Sequence, residues 1–138
     1  MASTGIRGLS AALLLAASLL TACGGPVVTA AYDTADPVDR WQAVLRANTA
    51  RYLCGAQLGE ARESHFADVM VEAQRQATAT LAKRDDLPAA DQEVLGDIGQ
   101  RRTVQERAVR DVVAQRGCQD PQIMDLIGLA DRFSAGQG

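Results

Sequence analysis

From Asp36 onward, apolar side chains recur every three or four residues in four separate stretches, the spacing of amphipathic helices. The first stretch opens at Asp36-Pro37, an N-cap residue followed by a proline suited to the first helical turn. It sets Val38, Trp41, Leu45, Tyr52 and Ala56 on one face, with Leu53 beside them, and is predicted to end between Gly55 and Gly59. The second spans about Glu60 to Arg84 on a stripe of Phe66, Val69, Met70, Ala73, Ala77 and Leu81, whose alanines admit a close neighbour. Asp85-Asp86-Leu87-Pro88 breaks the pattern. The third runs from about Ala89 to Arg116 on Val94, Leu95, Ile98, Val109, Val112 and Val113. Gly117 follows as a C-terminal glycine, and Asp120-Pro121 opens the fourth, which holds Ile123, Met124, Leu126, Ile127, Leu129, Ala130 and Phe133. The predicted fold is all-α: a small antiparallel bundle of about four helices over residues 36–134, with 135–138 a loose, flexible tail.

The third stripe is interrupted at its middle by Arg102 and Gln105. Arg102 either snorkels from the edge of the bundle or is buried and fixes helix register against a carboxylate. Asp97–Arg101 and Glu106–Arg110 have the spacing of surface ion pairs, worth tenths of a kcal/mol each.

Ahead of the helices, Met1 to Ala22 carries one charge, Arg7, then a run of mostly Ala and Leu from about Gly8 to Leu20. That run falls short of the roughly 20 apolar residues of a membrane span and reads as a signal peptide. Its exit, Leu20-Thr21-Ala22-Cys23, resembles the lipobox of bacterial lipoproteins. The resemblance implies cleavage before Cys23 and lipidation of its thiol, palmitate among the acyl groups, with residues 23–35 left as a lipidated tether. Several acyl chains hold a protein on a membrane in a way that one does not. Gly24, where an Asp would mark inner-membrane retention, implies an outer-membrane lipoprotein facing the periplasm. The alternative is an ordinary secretory signal cut after Ala22.

Cleavage leaves 116 of the 138 residues, and only Arg7 among the charges goes with the leader, so 13 basic and 17 acidic residues remain. One domain with a modest core is the expectation. The net negative charge argues against nucleic acid as a partner. Outside the cytoplasm the remaining pair, Cys54 and Cys118, is expected to form a disulfide. It closes a loop of about 63 residues, worth roughly 4 kcal/mol in the chain-entropy account. An up-down-up arrangement brings the ends of the first and third helices together, which is where these two cysteines lie.

Catalytic and cofactor motifs are missing: the chain has no GxSxG, HExxH, P-loop or GxGxxG, no CxxC and one histidine, His65. His65 sits beside the second stripe as a surface or satisfied histidine. The expectation is no enzyme, no metal and no cofactor. The fourth helix is the exception to a plain bundle. Leu126, Leu129 and Phe133 widen its apolar arc beyond what one neighbouring surface requires. Either the ends of the first two helices wrap around it, or these three residues form a patch for a partner's helix.

Arg51-Tyr52-Leu53 followed by Cys54, a second cysteine before the last helix, and an amphipathic final helix ending in Phe133 together resemble the pilotins of type II secretion. Those are small helical outer-membrane lipoproteins that bind a terminal segment of the secretin subunit and escort it. The layout departs from theirs in that Cys54 directly follows Leu53 and the third helix is long. The expected function is therefore a membrane-anchored helical domain that binds another envelope protein. The alternative is a small-ligand or lipid carrier, with Arg102 facing an acidic ligand inside the bundle. A hydrolase would require a cleft that gathers His65 with acids.

Overall fold

The computed structural model describes residues 27–30, 32 and 35–136. The expected signal peptide, the expected lipidation of Cys23, the rest of the tether and the last two tail residues lie outside the described residues. Four helices follow in order: α1 (Pro37–Leu53), α2 (Glu60–Arg84), α3 (Gln92–Arg116) and α4 (Pro121–Ser134). Three of them start in the same way. The carboxylates of Asp36, Asp91 and Asp120 accept from the backbone N–H of Val38, Glu93 and Gln122, at 2.9, 2.8 and 3.0 Å, and satisfy donors that the first helical turn leaves free. The third helix starts later than predicted, because Asp91 is its cap. Ala89 and Ala90 belong to a turn in which the Asp91 N–H donates to Pro88 O at 2.8 Å. α1 stops earlier than predicted. Gly55 takes the left-handed conformation (φ +66°), which lets Ala56 N–H donate back to Arg51 O at 2.9 Å and closes the helix at Leu53.

The chain runs up, down, up and down. Arg84 at the end of α2 pairs with Asp36 at the start of α1 (2.7 Å), and Glu63 near the start of α2 pairs with Arg51 near the end of α1 (2.5 Å). Cys54 and Cys118 are bonded, with Cα atoms 5.7 Å apart, and join the ends of α1 and α3. The small all-α bundle with one disulfide is thus as the sequence predicts.

α1 is the central helix and packs on all three others, whereas α3 and α4 barely meet. Its lower half joins Trp41 and Leu45 to Leu81 of α2 and to Val94 and Ile98 of α3. Another face of it presents small residues, Ala43, Ala47 and Ala50, all fully buried, which let α4 seat closely. No helix among the described residues is long and apolar enough to cross a membrane.

Three expectations need correction. Tyr52 shares the face of Trp41 on the helical wheel but is 77% exposed. Opposite it α3 offers Glu106 and Arg110, so the ring has no apolar cover. Leu95 is likewise exposed.

Second, the segment before α1 is not simply a spacer. Val28 is buried among Ala50, Val109, Val112, Ile123 and Leu126, and its N–H donates to Gln122 Oε1 at 2.8 Å. Thr29 O accepts from Arg46 Nε at 3.0 Å, and the Tyr32 ring meets Phe133 edge-on, with centroids 4.4 Å apart. The described part of the tether is a strap laid along the bundle from the start of α4 to its end.

Third, Leu126, Leu129 and Phe133 do not form an open patch. They are 0%, 2% and 2% exposed. The wide arc of α4 is covered by the α1 alanines, Phe66 of α2, Val109 and Val112 of α3, and the strap. This answers the choice posed by the fourth helix in favour of wrapping, with the strap as a cover that the sequence reading did not foresee.

Candidate functional site

With the α4 face filled, a cleft of about 460 Å³ remains between the middle of α2, the start of α1, the strap and the end of α4. Helical spacing on α2 builds one wall: His65, Val69, Glu72 and Gln76 follow each other at three- and four-residue steps, with Asp68 and Ala73 interleaved. Tyr32 from the strap and Phe133 from α4 supply the opposite apolar side, and Arg40 approaches from α1. Phe133 is held by Phe66, ring centroids 6.3 Å apart, and by Tyr32, so it joins the core to the floor of the cleft. Gly136 closes the end beside His65.

Charge in the cleft is unevenly committed. Glu72 accepts from Arg75 Nη2 at 2.6 Å and Nε at 2.8 Å, and from Gln76 Nε2 at 2.7 Å. The hydrogen bonds from Arg75 and then Gln76 hold its carboxyl well below the usual range, at about 2. Such a group stays ionised and is badly matched to proton transfer near neutral pH. Among the described residues, Asp68 has no hydrogen-bond or ion-pair partner, and no hydrogen bond joins His65 to either acid. Arg40 Nε is enclosed without a partner among the described residues. The cleft therefore offers an unmatched acceptor at Asp68 and an apolar floor, while the enclosed Arg40 Nε is out of a ligand's reach.

The cleft does gather His65 with acids, the condition set for a hydrolase. It adds no nucleophile aligned with a base, and the acid of known disposition, Glu72, is locked as an anion. No group of three or more His, Cys, Asp or Glu among the described residues could hold a metal ion.

Arg102 follows the edge reading: it is half-buried and donates to the Gln74 side chain of α2 rather than to a carboxylate. It lines a smaller cleft of about 330 Å³ with Trp41, Met70 and Val71, between helices rather than at the centre of the bundle. Gln105 accepts from Arg46 Nη1 at 2.7 Å, so the polar middle of α3 is matched residue by residue. Burial presses the pKa of Arg46 downward.

A further buried cation is Arg51, 7% exposed, with its guanidinium over the Phe66 ring at 5.1 Å and its charge met by Glu63. In the sequence it stood only as part of the Arg-Tyr-Leu-Cys run. In the fold it ties α1 to α2 beside the disulfide, while Tyr52 and Leu53 turn outward.

The sequence reading placed the partner site on Leu126, Leu129 and Phe133. Of these, only Phe133 contributes to the cleft. Asp68, Arg40 and Tyr32 were missed. The stripe analysis sorted α2 into core and surface, and so passed over the polar residues flanking Val69 and Ala73. Compared with known protein families, curated proteins and solved structures, the chain matches none.

Proposed function

We propose that this protein is a lipid-anchored adaptor of the bacterial cell envelope, outer membrane rather than inner, which grips a segment of another envelope protein in the cleft between α2 and α4. A pilotin-like escort is the most concrete form of this reading. Its support in the sequence is the lipobox-like Leu20-Thr21-Ala22-Cys23 and the arrangement of Arg51-Tyr52-Leu53-Cys54, Cys118 and Phe133. The structural observation that carries it is the cleft itself: an apolar floor of Tyr32, Val69, Ala73 and Phe133, flanked by an unpaired carboxylate at Asp68. A peptide fits such a surface better than a small acid does. An apolar side chain fills the floor, and a neighbouring Lys or Arg meets Asp68.

Photocrosslinking in intact cells tests this. A photoreactive side chain at Asp68 should give one discrete adduct, and the same group at exposed Val104 on α3 should not. Asp68→Lys combined with Ala73→Arg should abolish an adduct formed from Gln76, while the helical circular dichroism persists. Adducts from both faces alike, or from neither, would remove the cleft from the function.

A further inference from the structure

The large apolar side chains left exposed are not evenly spread. Among the described residues, seven are exposed: Val27, Tyr52, Leu53, Val71, Leu95, Val104 and Met124. Four of them, Val27, Tyr52, Leu53 and Met124, lie at one end of the bundle. Tyr52 and Leu53 close α1, Met124 stands in the first turn of α4, and Val27 precedes Val28, which packs against Cys54 and bonds Gln122. The disulfide marks this end.

Its covalent surroundings are nearly free of charge. Tyr52 to Gly59 contains none, and neither does Gly117 to Gln119. Of the nearby carboxylates, Asp120 pairs with Arg116 at 3.2 Å and Glu63 with Arg51, whereas Glu106 lines the shallow cleft beside Tyr52 and exposed Asp125 follows Met124. Glu60, at the start of α2, marks the rim. Arg110 shares a shallow cleft with Tyr52 and Leu53. The opposite end is of the other character, with Lys83, Arg84, Asp85, Asp86 and Glu93 all exposed.

The chain enters the described structure at this same apolar end. Val27 is the fourth residue after Cys23, and four residues span at most about 14 Å. Val28 is pinned by burial and by its bond to Gln122, so the tether cannot let the domain drift.

We propose that the disulfide end of the bundle is a membrane-contacting surface. Val27, Tyr52, Leu53 and Met124 sit in the interfacial layer of a phospholipid bilayer, and the charged end points away from it. Tyrosine is favoured at that depth, where its ring is dry and its hydroxyl wet. Arg110 beside it meets lipid phosphates through a snorkelling side chain. This rests on the lipid-anchor reading of Cys23. It adds to it an orientation: the α2–α4 cleft then opens along the side of a domain standing upright on its disulfide end.

The experiment uses the full chain, processed in a bacterial host, purified and reconstituted into phosphatidylcholine vesicles with brominated acyl chains. Mass spectrometry of the N-terminal peptide first reads the fatty acids on Cys23. Tryptophan fluorescence then reads depth in Tyr52→Trp and Met124→Trp, with Leu95→Trp as the far-end control. All three positions are exposed, and Trp41, 1% exposed, is a background common to all. Brominated lipid should remove roughly half of the emission added at positions 52 and 124, as expected of an interfacial ring, and none of that added at 95. Equal quenching at both ends, or none at 52 and 124 on a protein that carries its acyl chains, would overturn the orientation and leave the anchor standing. Sedimentation in that case shows whether a second copy covers the end face. A Cys23 without fatty acid would overturn both readings.

Discussion

Leu126 separates a core fourth helix from a docking one. Its side chain is wholly buried among Val28, Ala50, Val109, Val112 and Ile123. Leu126→Ala removes three carbons from that site. Burial alone accounts for roughly 2 kcal/mol, and the cavity left behind adds to it, so buried Leu→Ala changes cost about 2–5 kcal/mol. Where this one falls depends on how far the walls collapse. Three of the five neighbours, Ala50, Val109 and Val112, sit on helices tied together by the disulfide and resist movement, and Ile123 shares the helix of Leu126. Val28 belongs to the strap, held there by its own burial and one backbone hydrogen bond, and can settle inward. We therefore expect about 3 kcal/mol, a large share of the roughly 5–15 kcal/mol that stabilises an ordinary domain. At roughly 4–8 °C per kcal/mol for a domain of this size, the melting midpoint should fall by about 12–24 °C. Urea and thermal unfolding followed by far-ultraviolet circular dichroism measure both. A cost within about 0.5 kcal/mol, the range of ordinary surface changes, would refute the packing argument and return Leu126 to the surface.

Replacing Cys54 and Cys118 together by Ser should lower stability by about 4 kcal/mol, read as a shifted urea midpoint, and reductant should then have no further effect; an unshifted midpoint would show that the cross-link constrains little. Glu72 should titrate near pH 2 by nuclear magnetic resonance, and Arg75→Gln should return it towards 4.5; because the folded value is depressed, the stabilisation is present above the unfolded pKa and is lost as pH falls from about 4.5 towards 2, and a wild-type value in the ordinary range would contradict the hydrogen-bond geometry. Gly55→Ala should destabilise by about 1 kcal/mol although open space surrounds the position, since the left-handed turn and not crowding excludes a side chain; a neutral outcome in chemical denaturation would place the end of α1 elsewhere.

How much could be read in advance follows from which interactions are local. Asp36, Asp120 and Gly117 act on their own backbone, so three helix boundaries were legible within a residue or two. The third helix was placed too early because Ala89 and Ala90 are good helix formers, whereas Asp91, the residue that caps, lies just beyond them. The disulfide was legible from the parity of the cysteines and the up-down-up order. Tyr52 was not, since its exposure depends on Glu106 and Arg110 opposite, two residues that no periodicity in α1 can report.

The strap was missed for a different reason, and it accounts for both of the larger errors. A search for helical spacing finds nothing between Gly24 and Asp36. Yet Val28, Ala30 and Tyr32 recur every second residue, the period of an extended chain with one face turned inward, and Val27 before Val28 and Thr29 after it are exposed. That face is the complement of the surplus on the fourth helix: Val28 meets Leu126, and Tyr32 meets Phe133. Taken singly, each reads as unpartnered, a loose tether on one side and an apolar patch on the other. Taken as a pair, they cover each other, and the covering has a mechanical consequence. If residue 23 carries the proposed lipid anchor, fastening at Val28 ties the disulfide end of the bundle to it within a few residues. The apolar arc of α4 is therefore wide because it must accept side chains of the three other helices and the chain's own leading segment. Where the described segment passes the end of α4, Tyr32 and Phe133 also form part of the apolar floor of the cleft in which we propose that a partner binds.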